Sequence, residues 1–420
     1  MTNFMKRKSA FLSLVLMLAM FVTITNSCKK DPTDFTLATL VAGAIDLNGA
    51  TASNIVPVKP SIVATFNTDV DALTAIPANV SLVQDYDKAV IAVTVTATGK
   101  TITVTPTEDL GNGALYKLSL NAGLKSTGGL ALTAVVRNFS TIGTFVPKGT
   151  IAYWNFEDNA NDQIGSHDPA NSGIVNITYT ASRNTAAGKA ATFDGTTSII
   201  EIPNGDQLMN THDFAMSFWA KAMDSGKGHF IIGLAAFYGF QFELNGSFTE
   251  FKMPVQFDYG DGTSGTGGDL AYNGDGKTKD NGGYRGTTFC KENTAMADVL
   301  KEKWFHITYV YNSTSKERMF YLNGALVKTQ DHDLFLTDLG EPTKEMGIVG
   351  LKYGGVAPET VNELAFGFIQ SRAGTLWDTE SWGGYGIPGA NHFKGQLDDV
   401  RIFHKVLTAT EIQLMYNSEK

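Results

Sequence analysis

The chain has 420 residues, enough for about two or three domains, and its 43 % hydrophobic and 18 % charged content excludes an intrinsically disordered chain. A net charge of −9 argues against a nucleic-acid partner, because phosphate contacts need a basic face. Two Cys exclude a disulfide framework and a four-Cys zinc site, and abundant Gly, Phe, Tyr and Thr point to short strands joined by turns.

The first predicted element is a leader. Lys6, Arg7 and Lys8 precede an apolar run from Ala10 to Thr23, too short for a membrane span and suited to a signal-peptide core. The run ends in Thr25-Asn-Ser-Cys28, which resembles the lipobox of bacterial lipoproteins. That resemblance implies cleavage of residues 1–27, lipidation of Cys28 and a membrane contact through the lipid. Removing residues 1–27, with three basic and no acidic residues, takes the charge from −9 to −12 and leaves 393 residues. Cys28-Lys-Lys-Asp-Pro-Thr-Asp is similar to the start of lipoproteins of the Bacteroidetes. It implies an outer-membrane location with the protein facing outward. Residues 28–35 then form a tether.

Residues 36–145 alternate apolar and polar positions in short runs, as in Ser61–Phe66, Thr101–Thr105 and Tyr116–Leu120. Period-2 runs between Gly/Asn/Asp turns predict half-buried strands of a sandwich. Pro57-x-x-Pro60 before Thr65-Phe66, the Tyr-x-Leu-x-Leu strand and the closing Asn138-Phe-Ser-Thr141 resemble bacterial Ig-like domains of the S-layer type. The resemblance implies a spacer.

After a linker at 144–149 comes a second block. Tyr153-Trp154-Asn-Phe-Glu157-Asp158, Gly188-Lys-Ala-Ala-Thr-Phe-Asp194-Gly195, Phe214–Trp219, Trp304–Tyr311 and Phe393–Ile402 follow in order. Asn323-Gly324 predicts a two-residue hairpin. The set resembles the laminin-G-like jellyroll, a concanavalin A-like lectin/glucanase fold, over residues 149–418. Thr408-x-x-Glu411 predicts a capping box opening a short terminal helix, with Leu407 and Ile412 as its staple. The expected fold class is all-β: an Ig-like sandwich, then a jellyroll with a short C-terminal helix.

Laminarinase-type relatives carry their catalytic carboxylates on one strand as Glu-x-Asp-x-Glu, so that alternate residues share a face. This sequence has no such run. Glu243, Glu250 and Glu363 lack a second carboxylate two residues away, and Asp378-Thr-Glu380 sits beside Gly383-Gly384. No catalytic residue is assigned, and a pair assembled by folding stays open. Asp398-Asp399 are adjacent and would face opposite ways on a regular strand. Resemblance to the Asp-x-Val-Arg-Val strand of those relatives implies a structural Ca²⁺ held by Asp398 with Asp158. The alternative is a turn cap or Arg401 pair for Asp398 and an Asx turn for Asp158. Cys290 is either a nucleophile or a buried filler.

Residues 258–286 hold ten Gly and five Asp with Tyr259, Tyr272 and Tyr284, and read as long loops. Trp377, Trp382 and Tyr385 cluster in a second loop. A Trp or Tyr platform beside carboxylates and amides suits the apolar face and hydroxyl rim of a sugar. These six aromatics are the expected ligand-binding residues, for a polysaccharide or other glycan; a protein partner in a surface complex is the alternative. Arg285 and Arg372 would clamp an acidic sugar or pair with Asp280 or Asp378.

Overall fold

A computed structural model describes residues 34–49, 52–337 and 339–420. The leader and Cys28 lie outside the described residues. The chain divides into two compact units, one reaching residue 110 and resuming at 115–141, the other comprising 111–114 and 142–420.

The first unit is a sandwich of two five-stranded sheets. Leu37–Ala42, Ile62–Phe66 and Thr101–Pro106 run side by side in one; Val135–Thr141, Leu115–Leu120 and Val80–Gln84 do so in the other. Strict alternation in Ile62-Val-Ala-Thr-Phe66 sends Ile62, Ala64 and Phe66 inward. Tyr116 stacks on Phe139 inside, with ring centroids 5.7 Å apart.

The second unit is a larger sandwich. Its first sheet has nine strands, with Lys394–Phe403 between Phe214–Ala222 on one side and two strands on the other. Leu397 to Lys394 pair with Ala191 to Asp194, while Phe403 to Val400 pair with Thr150–Trp154. The second sheet runs Ile174–Val175, Ile199–Ile202, Leu364–Phe366, His229–Leu234, Phe240–Leu244, Phe251–Met253 and Leu270–Tyr272. Aromatic pairs join the two sheets: Phe218 meets Phe242 edge-on at 4.9 Å, and Trp154 meets Phe366 at 5.1 Å. Such pairs add about 0.5–1.5 kcal/mol each beyond area burial.

Local signals set the details. Asn323 and Gly324 both have positive φ, +51° and +75°, and close the hairpin between Glu317–Leu322 and Ala325–Asp331. The terminal helix Ala409–Glu419 opens on the expected reciprocal cap between Thr408 and Glu411. Leu407 and Ile412 are buried beside it. The segment 258–286 is less of a loop than its Gly content suggests. It contributes Ser264–Thr266 and Leu270–Tyr272 as strands, and Leu270 and Tyr272 are fully buried.

A long connection, residues 367–393, folds back over the outer face of the second sheet. Phe393 N donates to Gly367 O and Phe230 N to Asn391 O, closing its base. Its other end crosses the sheet at Gly233, where a Cβ would lie 2.2 Å from Ile369 O and 2.6 Å from Phe368 O. Only glycine admits that approach, although the backbone at this position is not left-handed. Gly233→Ala must therefore lift the connection or distort the sheet. We expect a loss of about 1–3 kcal/mol in urea unfolding, the usual cost of overpacking, with increased exposure of Trp377 and Trp382 to acrylamide quenching.

Candidate functional site

The outer face of the second sheet is built by alternation. In Phe240-Gln-Phe-Glu-Leu244, the Phe and Leu side chains fill the core and Gln241 and Glu243 point the other way. In Phe251-Lys-Met253, Lys252 does the same. Register places Glu243 directly opposite Lys252, Phe230 opposite Glu243, and Gly233 opposite Gln241. Asp269 enters from the start of Leu270–Tyr272, which pairs with the Lys252 strand.

Lys252 Nζ lies 3.0 Å from Glu243 Oε1 and 2.9 Å from Asp269 Oδ2. Gln241 Nε2 donates to Glu243 Oε2 at 2.7 Å. Burial pushes the Glu243 carboxyl above the usual carboxylate range, against the pull of Lys252. Burial disfavours the Lys252 charge as well, but the two carboxylates outweigh it and hold the ammonium above its ordinary value.

The connection 367–393 supplies the opposite wall. Trp377 and Trp382 pack at 4.9 Å, Trp377 against Phe237 at 5.8 Å and Trp382 against Phe230 at 6.1 Å. Phe368 and Ile369 bury beneath them with Ala365 and Ile199 in a small second core. Between the Trp pair and the polar row lies a groove of about 620 Å³, within the ordinary size range of small-ligand sites. Gln241, Glu243, Lys252, Asp269, Trp377 and Trp382 line it. Two buried atoms on these walls have no hydrogen-bond partner among the described residues: Gln241 Oε1 and Trp377 Nε1.

Arg318 holds one side of this arrangement from inside the sandwich. It is fully buried and donates to Gly268 O at 2.7 Å, Gly267 O at 3.0 Å and Gln330 Oε1 at 2.7 Å. Its two glycine carbonyls immediately precede Asp269. Burial lowers its pKa, and these oxygens compensate its charge.

The remaining expected ligand-binding aromatics fall elsewhere. Tyr272 is a core residue whose hydroxyl donates to Lys291 O. Tyr385 is an anchor: its hydroxyl donates to Thr197 O, and its ring packs on Phe368 and His392. Tyr259 is half-buried under the Lys344 ammonium, and Tyr284 is exposed against Phe335. Of the six, the structure therefore brings together Trp377 and Trp382 only, and joins to them Glu243, which the sequence offers only as a carboxylate without a partner two residues away, and Gln241, Lys252 and Asp269, which no motif marks. Their signal was the alternation in 240–244 and 251–253, which marks a polar outer face; the pairing of those strands is non-local. Arg372 joins Glu201 at 2.6 Å instead of Asp378, and Arg285 donates to Leu336 O instead of pairing with Asp280. Cys290 is 7 % exposed, with burial raising its thiol pKa, which fits a filler.

The two Asp residues expected to share a Ca²⁺ have other partners in the structure. Asp158 is exposed and faces Lys189 Nζ at 2.5 Å. Asp398 accepts from Ser182 Oγ and pairs with Arg183 at 2.7 Å. Each carboxylate already has a cation from the chain, so this donor set does not fit a shared Ca²⁺. Among the described residues no group of three or more His, Cys, Asp or Glu is placed to hold a metal.

What the Asp pair does instead follows from a bulge. Pairing with Phe214–Ala222 shifts register between Ser217 and Trp219, and Asp399 takes φ +48°. Both carboxylates thereby turn to the same guanidinium, Arg183, with Asp399 at 2.5 Å. Arg401 bridges Asp399 at 3.1 Å and Glu419 at 2.7 Å, and Trp219 Nε1 donates to Glu419 at 2.6 Å. Arg183 Nε also donates to the Glu419 carbonyl, capping the terminal helix. Three carboxylates face two guanidinium groups. Burial, then the charge of Asp399, pushes Asp398 up to about 8. Burial alone would raise Asp399 too, but Arg401 and Arg183 hold it below the usual carboxylate range.

Residues 44–141 match the model of a bacterial Ig-like domain. No curated protein matches the chain. Among solved structures, it is similar to the receptor binding domain of botulinum neurotoxin type G, at 14 % identity, 64 % coverage of this chain, 51 % of that chain and TM-score 0.37. It is also similar to the binding domain of Paraclostridial Mosquitocidal Protein 1, at 14 % identity, 64 % and 52 % coverage and TM-score 0.40. The chain spans about half the length of these structures.

The Asp398 proton sets a pH dependence. An Asp with a folded pKa near 8 and an unfolded value of about 3.9 stays protonated only in the folded state between these limits. The folded state then binds more protons, so unfolding free energy falls as pH rises from about 4 to about 8. Asp398→Asn cannot ionise and removes that slope. Thermal melts at pH 5 and pH 8 should show the variant gaining on the wild-type protein by several degrees at pH 8; equal differences at both pH values would contradict the assignment.

Proposed function

We propose that this protein is a lipid-anchored, cell-surface glycan-binding protein, in which the Ig-like unit is a spacer and the jellyroll carries the binding groove. The carrying observation is the groove itself: a Trp pair on one wall faces a row of amide, carboxylate and ammonium groups on the other. A pyranose has the matching division, with apolar C–H faces and a polar hydroxyl rim. The leader, Cys28 and the acidic mature chain support an anchored, outward-facing location. A single lipid chain gives only marginal membrane affinity, so the reading requires the multiply acylated anchor that a lipobox implies.

Glu243 and Asp269 invite a second reading. Because both touch Lys252 Nζ, their nearest oxygens are no more than about 6 Å apart, close to the roughly 5–5.5 Å of retaining glycosidases. The Lys252 ammonium, however, stands between them and neutralises the pair where a glycosidic bond would have to lie. That geometry favours recognition over hydrolysis. A protein partner is favoured less, because the aromatics line a groove and not a flat apolar patch.

The test uses the processed full-length chain on a panel of immobilised polysaccharides, beside a Trp377→Ala/Trp382→Ala variant whose folding is checked by circular dichroism. Wild-type binding should weaken at least about tenfold in the variant, or roughly 1.4 kcal/mol. Absence of binding across the panel, or equal binding by a folded variant, would overturn the reading. Reducing-end release from a bound polysaccharide would move the assignment to hydrolysis.

A further inference from the structure

We propose that the groove selects neutral glycans and rejects acidic ones, an inference that rests on the glycan-binding reading above. Two observations carry it. The first is charge. Glu243 and Asp269 face the single cation Lys252, and the remaining lining residues are aromatic, aliphatic, amide or hydroxyl. Lys252 is already engaged by both carboxylates, so a uronate, sialate or sulfate entering the groove meets a net negative wall and no free cation. In a partly desolvated groove this repulsion is stronger than at an open surface.

The second is the hydrogen-bonding polarity of Gln241, whose side chain is 94 % buried by its 6 % exposure. Its amide is oriented by Glu243, which the Lys252 ammonium at 3.0 Å keeps as an acceptor. Nε2 donates to Glu243 Oε2 at 2.7 Å, and an ionised carboxylate only accepts. Gln241 Oε1 is therefore an acceptor by necessity, and it has no partner among the described residues. It calls for a donor from the ligand. Trp377 Nε1, also without a partner, calls for an acceptor. A hydroxyl supplies both roles, and so does an acetamido group. A carboxylate or sulfate satisfies Trp377 but opposes its own lone pairs to Gln241 Oε1. The site thus matches unsubstituted or N-acetylated neutral sugars.

The experiment compares binding of the full processed chain to neutral polysaccharides (dextran, mannan, xylan, laminarin, chitin oligosaccharides) and to acidic ones (polygalacturonate, alginate, hyaluronan, polysialic acid, heparin) at low and moderate salt. The expected result is binding to at least one neutral probe and at least tenfold weaker binding to every acidic one, with the gap narrowing as salt rises. Asp269→Asn should narrow it at low salt by about threefold or more. Gln241→Met should weaken neutral binding by roughly tenfold, the loss of one buried hydrogen bond. Acidic probes bound as tightly as neutral ones would overturn the selectivity and leave the glycan reading standing. Binding to neither class would overturn both.

Discussion

Five ionisable side chains, drawn from three places in the sequence, close the larger sandwich. Arg183 comes from the turn between Thr178–Ala181 and Lys189–Asp194, Asp398, Asp399 and Arg401 from the strand Lys394–Phe403 within the nine-stranded sheet, and Glu419 from the terminal helix. Their coming together depends on one extra residue. Without the bulge beside Trp219, successive side chains would alternate across the sheet, and Asp398 and Asp399 could not share a guanidinium. With it, the helix is capped by Arg183 and tied by Arg401. Trp219 lies under Arg183, with the guanidinium carbon 4.6 Å from its ring centroid, and Tyr153 lies under Arg401 at 4.3 Å. A buried network of this kind is weak evidence for large net stability, because desolvation offsets much of the attraction. Its contribution is to geometry: it ties the strand Lys394–Phe403, the Arg183 turn and the end of the terminal helix to one another.

The groove on the opposite sheet is shaped by a different constraint, the close approach of two backbones. Gly233 lets Phe368 and Ile369 lie on the sheet, and with the hydrogen bonds at the base of the connection and the Tyr385 anchor this contact holds Trp377 and Trp382 over it. The polar row beside it is equally determined by what lies behind. Arg318, enclosed in the core, grips the two glycine carbonyls ahead of Asp269. A surface site is thus held from within by a buried cation and from above by a loop that only a missing Cβ admits.

Much of the fold was legible in sequence because its signals are local. The alternation at Ile62–Phe66, the Asn323-Gly324 turn and the Thr408–Glu411 cap each act over a few residues, and each is present in the structure. The Trp pair was legible as a composition. Its polar counterpart was not, since Gln241, Lys252 and Asp269 meet only through strand pairing, which no short window reports. Tyr272 was misread because flanking Gly and Asp outweighed the brief Leu270-Ala-Tyr272 alternation. Asp398 and Asp399 turn the same way because register shifts by one beside Trp219, which no local pattern of residues reports.

The strand Lys394–Phe403 has a consequence for the order in which the domain can be made. It hydrogen-bonds to three others, Thr150–Trp154, Lys189–Asp194 and Phe214–Ala222, and follows all of them in sequence. A growing chain that has reached residue 390 has every other strand of the sheet but not the one that joins its two halves. Such long-range closure makes folding slow and all-or-none. Until that strand arrives, Lys189–Asp194 and Phe214–Ala222 each keep one open edge, and Thr150–Trp154 has no partner in the sheet.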